Sequence, residues 1–196
     1  MTAVSSHARD VGAQVVTQAS TPALVNLAVS VALGLRAGDL PAGLAVGLMS
    51  GPVPFLFIVA GVRRTRFSDV HVSVREQRPK LIAAILVGLT MTLAGLLAFG
   101  ASREVSALCA AMLVTLVAVG VVTTAGQWKV SVHAAVLAGS VVMLSISGPP
   151  LWLAAFATLP AVMWSRVHLG AHTTPQVTAG AVLGLVVAGT TFLLVR

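Results

Sequence analysis

The sequence predicts an all-α fold, a polytopic membrane bundle of six to seven transmembrane helices. Of its 196 residues, 57% are hydrophobic and 9% are charged, whereas roughly a quarter of the residues in a soluble domain are charged. The mean hydropathy is +0.99, and the apolar residues fall in runs separated by short polar segments. Most of the protein surface is therefore expected to face lipid.

The chain is predicted to consist of a short tail and one membrane domain. Residues 1–20 are polar, with Arg9 beside Asp10, and are expected to form an extramembrane tail. They lack the basic start, the continuous apolar stretch and the small-residue cleavage site of a signal peptide. Residues 21–196 form a single predicted transmembrane domain. Its one cysteine, Cys109, lies in an apolar run, so no intrachain disulfide is possible.

The predicted spans follow from the thickness of the bilayer. A helix crosses a hydrocarbon core of about 30 Å with about 20 apolar residues. Six runs reach or approach this length: residues 40–62, 81–100, 105–126, 132–147, 151–164 and 177–195. A seventh run, residues 23–35, is shorter and ends at Arg36, which leaves the number at six or seven. Pro149 and Pro150 predict a turn between the fourth and fifth runs, because proline lacks an amide donor.

Polar residues collect in three places between these runs. Because ionisable groups are costly in hydrocarbon, their placement carries functional information. The polar clusters are residues 63–80, 128–133 and 165–176. Two predicted spans separate the first from the second, and two more separate the second from the third. An even number of crossings returns the chain to the same face, so all three are expected to converge on one side of the membrane.

This convergence would bring four cationic residues together with three histidines. They are Arg75, Arg78, Lys129, Arg166, His71, His133 and His172. Arginine offers paired donors to phosphate oxygens, and lysine adds a point charge. Histidine acts as a nucleophile or as a proton donor near neutral pH. The group is therefore suited to a phosphate carried on a lipid.

Other ligands fit the polar clusters less well. Only two carboxylates, Asp69 and Glu76, lie in them, so neither a metal site nor a cofactor is predicted. Nucleic acid is not an expected partner, because the basic residues do not form a stripe on a soluble face. The simpler interpretation is a solvated, positively charged membrane face. That interpretation is preferred for Arg63, Arg64, Arg66 and Lys80.

Three short motifs carry a family resemblance. Ser165, Arg166 and His172 fit the pattern S-R-x5-H-x3-D, with Gln176 at the aspartate position. Residues 130–133 read V-S-V-H against the pattern P-S-G-H, and residues 71–79 end in Arg78 and Pro79 as in K-x6-R-P, with His71 at the lysine position. In the order and separation of these motifs, residues 67–194 resemble the type 2 phosphatidic acid phosphatase superfamily, which includes membrane lipid phosphatases and vanadium haloperoxidases.

The resemblance implies a mechanism. His172 would attack phosphorus and form a phosphohistidine, while His133 would protonate the leaving alkoxide. Arg78, Arg166 and Ser131 would hold the phosphate oxygens. Arg75 or Lys129 would compensate for the missing lysine at position 71. Gln176 could only orient His172, since it lacks the charge of the family's aspartate, and Asp69 is a candidate for supplying that charge.

Three functions remain open on this basis. The first is metal-independent hydrolysis of an isoprenoid phosphate or diphosphate, or of a phosphatidate-like lipid. The second is processing of a prenyl diphosphate by cyclisation or prenyl transfer. The third is a catalytically weakened lipid-phosphate binding or transport protein. The sequence does not determine the lipid or the oligomeric state.

The distribution of charge predicts an orientation. If residues 23–35 span, nine of the twelve Lys and Arg residues lie on the side of the motifs and three, Arg36, Arg103 and Arg196, lie on the other. The positive-inside rule then places the site at the cytoplasmic face, with the cell membrane as the expected location.

Overall fold

All secondary structure in the described part of the chain is helical. A computed structural model describes residues 2–70, 72 and 74–196. Within them lie the α-helices α1 Thr2–Ala19, α2 Pro22–Arg36, α3 Leu40–Ser50, α4 Pro52–Arg63, α5 Arg78–Ala98, α6 Arg103–Thr124, α7 Val132–Ser147, α8 Thr158–His168, α9 Thr174–Leu183 and α10 Gly189–Val195. Short 3-10 helices, Arg75–Gln77 and Pro150–Ala157, precede α5 and α8, and a π-helical turn, Gly184–Ala188, joins α9 to α10.

Several of these helices can cross a membrane. Within the described residues, four segments are long and apolar enough: Leu40–Arg63, Arg78–Ala98, Arg103–Thr124 and Thr174–Val195. A fifth is obtained if His7–Ala19 and Pro22–Arg36, which are bent by 46° at their junction, count as one broken span. An all-helical protein with several membrane-crossing helices agrees with the prediction from sequence. The predicted number of six to seven spans is not confirmed.

Two of the predicted spans fall short for different reasons. The helix α7 has 16 residues, which gives a length of about 24 Å at 1.5 Å per residue. This is less than the thickness of about 30 Å that a span must cover. Residues 151–164 do not form one α-helix, because the chain leaves Pro149 as a 3-10 helix and becomes α-helical only at Thr158.

The helix α6 lies at the centre of the bundle. Its buried side chains, which include Leu108 and Cys109, pack in one core cluster with residues of five other helices: Leu33, Val46, Leu89, Met143 and Phe192. The helix α5 lies at the edge of the bundle, and only 11% of its most apolar stretch is buried inside the protein. Because its exposed side chains, such as Val87 and Met91, are apolar, this outer surface suits contact with lipid.

Glycines bring α9 close to α7. A Cβ atom on Gly180 would collide with the carbonyl oxygen of Ser131, and one on Gly184 would collide with that of Ala135. The Ser131 backbone N–H also donates to the carbonyl oxygen of Gln176, at 3.2 Å. The N-terminal ends of α7 and α9, which carry the second and third motifs, are therefore held side by side.

The predicted N-terminal tail contains a helix that packs on the third motif. The helix α1 lies against α8, where the hydroxyls of Thr17 and Ser165 are 3.1 Å apart and buried. His168 Nε2 and Asp10 Oδ1 lie 2.8 Å apart nearer the start of α1. The tail thus helps to hold Ser165, the first residue of the third motif.

Candidate functional site

Cationic side chains from all three polar clusters meet at one end of the bundle. Arg78 begins α5, Lys129 precedes α7, and Arg166 lies in the last turn of α8. Their positive charges, together with burial as the largest cause, lower the pKa of His172 from 6.5 to about 4. We refer to Arg78, Lys129 and Arg166 as the cationic cluster. The convergence expected from sequence is present for these residues.

Two members of the cationic cluster donate hydrogen bonds to backbone carbonyl oxygens. Arg78 is 8% exposed, and it donates from Nε to the Val72 oxygen at 3.1 Å and from Nη1 to the Val130 oxygen at 3.2 Å. Lys129 Nζ donates to the Ala171 oxygen at 3.0 Å. These bonds tie the three polar clusters together. A guanidinium has five N–H donors, so Arg78 retains others for a ligand.

Arg166 lies beside the cavity with an unused donor. It is 6% exposed, and its Nε has no hydrogen-bond partner among the described residues. Burial lowers the pKa of Arg166. Because an unpaired buried donor is costly, such a group marks a place where an acceptor is expected to bind.

Gln176 holds His172 in one tautomer. Gln176 Oε1 lies 3.1 Å from the Thr173 backbone N–H, which donates to it, and 3.2 Å from His172 Nδ1. An amide oxygen only accepts, so the His172 Nδ1 must carry the proton in this pair. The lone pair of the imidazole is then on Nε2. With its lowered pKa, His172 is neutral near pH 7, and His172 itself lines the cavity described below.

The second motif lies at the start of α7. His133 is the second residue of this helix and is 7% exposed. The Ser131 hydroxyl caps the helix by accepting from the Ala134 N–H at 3.4 Å, and Ser131 is fully buried. The N-terminus of α7 thus lies at the same end of the bundle as the cationic cluster. Its backbone N–H groups and the helix dipole favour an anion there.

The first motif is described only in part. His71 lies outside the described residues, and so does the side chain of Arg75. Asp69 is close enough for its charge to act on Lys129, where it opposes the lowering of the Lys129 pKa by burial, Arg78 and Arg166. Gln176 Oε1 is the group beside His172 Nδ1, and the supply of the missing negative charge by Asp69 stays a prediction.

A cavity of about 230 Å³ extends from the cationic cluster into the bundle. Four polar residues of the motifs line it: Arg78, His133, Arg166 and His172. Beyond them the wall is mostly apolar and includes Ile85, Leu89, Met112, Leu116 and Met143. Leu89 lies eleven residues after Arg78, about 16 Å along α5. We call this space the central cavity; its depth is about half of a 30 Å hydrocarbon core.

Some residues of the site carried no signal in the sequence. Thr115, Thr123 and Ser140 line the central cavity, yet each stands inside an apolar run and resembles any polar residue of a membrane helix. Thr17 contacts the third motif from a distance of 148 residues along the chain. These contacts become visible only in the three-dimensional arrangement of the helices.

Comparison with known proteins gives no match to this chain, whether by family model, by curated sequence or by solved structure. The resemblance to the type 2 phosphatidic acid phosphatases therefore rests on the motif residues.

Proposed function

We propose that the protein is a membrane lipid phosphatase that hydrolyses an isoprenoid phosphate or diphosphate, or a phosphatidate-like lipid. One observation carries the proposal: Arg78, Arg166, His133 and His172 line one end of a cavity whose remaining wall is mostly apolar. Arginine guanidinium groups bind a phosphate through paired N–H donors, and an apolar wall of this depth accommodates a hydrocarbon tail. The charge distribution favours the cytoplasmic face of the cell membrane for this site.

The first chemical step would use His172 as the nucleophile. Its Nε2 lone pair attacks phosphorus, a P–N bond forms, and the P–O bond to the lipid breaks. Because His172 is neutral near pH 7, the lone pair is available without removal of a proton. The His172 Nδ1 proton, held by Gln176, keeps the ring oriented as positive charge develops.

Other residues would protonate the leaving oxygen and stabilise the charge on the phosphate oxygens. His133 donates a proton to the departing alkoxide and, in the second step, accepts one from the water that attacks the phosphohistidine. Orthophosphate then leaves and His172 is restored. Arg78 and Arg166 stabilise the charge on the non-bridging oxygens, and loss of one such donor typically lowers the rate by about 10²–10³-fold.

A slow or inactive lipid-phosphate binding protein is the second candidate, and Gln176 favours it. A neutral amide orients His172 but does not stabilise its positive form as a carboxylate does. In a serine protease triad, loss of the analogous charge lowers turnover by about 10⁴-fold. The same site would then bind its ligand without rapid turnover.

Phosphate release separates these functions. Detergent-purified wild type and His172→Ala are incubated with prenyl phosphates, prenyl diphosphates and phosphatidate in the presence of a chelator. We expect orthophosphate from the wild type, loss of at least about 10³-fold in the variant, and no loss in the control His7→Ala, whose side chain is exposed. Ligand binding without release by the wild type would support the binding protein. Release of diphosphate with a rearranged hydrocarbon would indicate prenyl-diphosphate processing instead.

A further inference from the structure

Arg166 differs from the other two members of the cationic cluster in how its side chain is held. Arg78 and Lys129 donate hydrogen bonds to backbone carbonyl oxygens. The Arg166 Nε has no hydrogen-bond partner among the described residues, although Arg166 is only 6% exposed. We therefore expect the direction of the Arg166 side chain to depend on the depth and rotation of α8, whose last turn carries it.

The helix α1 contacts α8 at two points on one face. Ser165 and His168 are three residues apart and share a face of α8. The Ser165 hydroxyl is fully buried and lies 3.1 Å from the hydroxyl of Thr17. His168 Nε2 lies 2.8 Å from Asp10 Oδ1, and Asp10 precedes Thr17 by seven residues, which is about two helical turns. Two contacts along one face oppose rotation of α8 about its axis.

The buried contact has a defined direction. Ser165 Oγ donates its one proton to the Val162 carbonyl oxygen at 2.8 Å, so the Thr17 hydroxyl is the donor to Ser165 Oγ. Thr17 is 4% exposed, and a buried oxygen that loses its donor is not compensated by water. Of the two described neighbours in the third motif, Arg166 lines the central cavity and Ser165 does not. Ser165 therefore faces α1 rather than the ligand.

We infer that Thr17 is a positioning residue for the phosphate site, which acts through Ser165 to aim Arg166 at the central cavity. The inference rests on the proposed function in one respect, which is that Arg166 holds phosphate. Neighbouring residues of a helix point about 100° apart, so α8 can hold Ser165 against α1 and Arg166 against the cavity at the same time. The N-terminal helix then supports the site although no described residue of α1 lines the cavity.

The imidazole of His172 reports the position of Arg166. Burial, the charge of Lys129 and the charge of Arg166 lower the pKa of His172, in that order. If α8 rotates, the guanidinium moves away and water enters, and both changes favour the protonated imidazole. Loss of the Thr17 contact should therefore raise the pKa of His172, and this rise does not require turnover. A hydroxyl that serves only stability would leave the pKa of His172 in the folded protein unchanged.

Histidine NMR tests the inference. Detergent-purified protein with isotope-labelled histidine is titrated with acid, and the His172 signal is identified by its absence in His172→Ala. The variants are Thr17→Val, which keeps the shape but removes the hydroxyl, and Thr17→Ser, which keeps the hydroxyl. The control is Ser20→Ala, whose buried hydroxyl bonds to the Val16 and Thr17 carbonyl oxygens of its own segment. Each is also made in an Arg166→Gln background, and the affinity for inorganic phosphate is measured in parallel.

We expect Thr17→Val to raise the pKa of His172 by about 0.5–1 and to weaken phosphate binding by about threefold to tenfold. Thr17→Ser and Ser20→Ala should match the wild type. Because Thr17 acts through Arg166, Thr17→Val should change neither quantity further in the Arg166→Gln background.

Three results would overturn the positioning role: an unchanged pKa of His172 in folded Thr17→Val, an equal rise in Ser20→Ala, or a rise of the same size in the Arg166→Gln background. If Thr17→Val does not fold, Asp10→Asn takes its place and must raise the pKa of His172. Loss of a negative charge would by itself lower that pKa, so a rise would come from release of α8, and no rise would refute the role. If the pKa of His172 moves as expected but the wild type releases no phosphate, the hydrolase proposal fails and the positioning role stands.

Discussion

At the scale of single residues, Gln176 occupies the position at which the family that this chain resembles has an aspartate. Its Oε1 accepts from the Thr173 N–H, and His172 Nδ1 lies 3.2 Å away from the same atom. This arrangement fixes the tautomer of His172 but adds no negative charge. Burial and the cationic cluster meanwhile lower the pKa of His172 to about 4. In the proposed mechanism, the imidazole of His172 would therefore be a neutral nucleophile whose positive charge, once formed, is not stabilised by a carboxylate.

Gln176→Glu is expected to restore that support with little change in shape. A carboxylate at the same distance should raise the pKa of His172 and stabilise the phosphohistidine transition state. We expect kcat/KM for phosphate release to rise by about tenfold or more, and its acid limb to move to higher pH, because a proton then competes for His172 Nε2 at a higher pH. Gln176→Ala, which removes both hydrogen bonds, should lower activity instead. An unchanged pH profile in Gln176→Glu would contradict this account of His172.

At the scale of helices, the contact between α7 and α9 sets the distance between the second and third motifs. Gly180→Ala would place a methyl group against the carbonyl oxygen of Ser131. The helices must then separate, which we expect to destabilise the protein by about 1–3 kcal/mol and to lower kcat/KM for phosphate release by at least tenfold. Gly95→Ala in α5 is the control. It meets no atom within 4 Å and should stabilise by about 0.5–1 kcal/mol. Retained activity in Gly180→Ala would show that the spacing of α7 and α9 does not govern the site.

The helices also explain which parts of the site could be predicted from sequence. The polar clusters converge although two of the predicted spans are short or interrupted, because the chain between Lys129 and Arg166 still turns back at Pro149. The convergence therefore does not depend on the predicted number of six to seven spans, which is not confirmed. The backbone contacts of Lys129 and Ser131 could not be predicted: Lys129 donates to a backbone carbonyl, and Ser131 caps α7. Their predicted roles in binding phosphate stay predictions. Backbone acceptors carry no signature in the sequence.

At the scale of the whole molecule, the two ends of the bundle differ in charge and in chemistry. One end carries the cationic cluster and the polar part of the central cavity wall. At the other end, the basic residues cap helix termini or form an ion pair: Arg103 donates to the Val195 oxygen, Arg196 to the Ile146 oxygen, and Arg36 lies 3.9 Å from Glu104. The end with the cationic cluster carries most of the Lys and Arg residues, and on the positive-inside rule we propose that it faces the cytoplasm.

This orientation can be tested by labelling single cysteines in intact cells. Ala125→Cys is exposed near the end of α6 that faces the cationic cluster, and Phe99→Cys replaces a residue that is 93% exposed at the opposite end of α5. Both are made in a Cys109→Ala background and leave every charge unchanged. We expect a membrane-impermeant maleimide to label Phe99→Cys in intact cells and to reach Ala125→Cys only after the membrane is permeabilised. The reverse pattern would place the site on the outer face, where the substrate would have to come from the outer leaflet. Equal labelling of both positions in intact cells would mean that α6, which lies between them, does not cross the membrane.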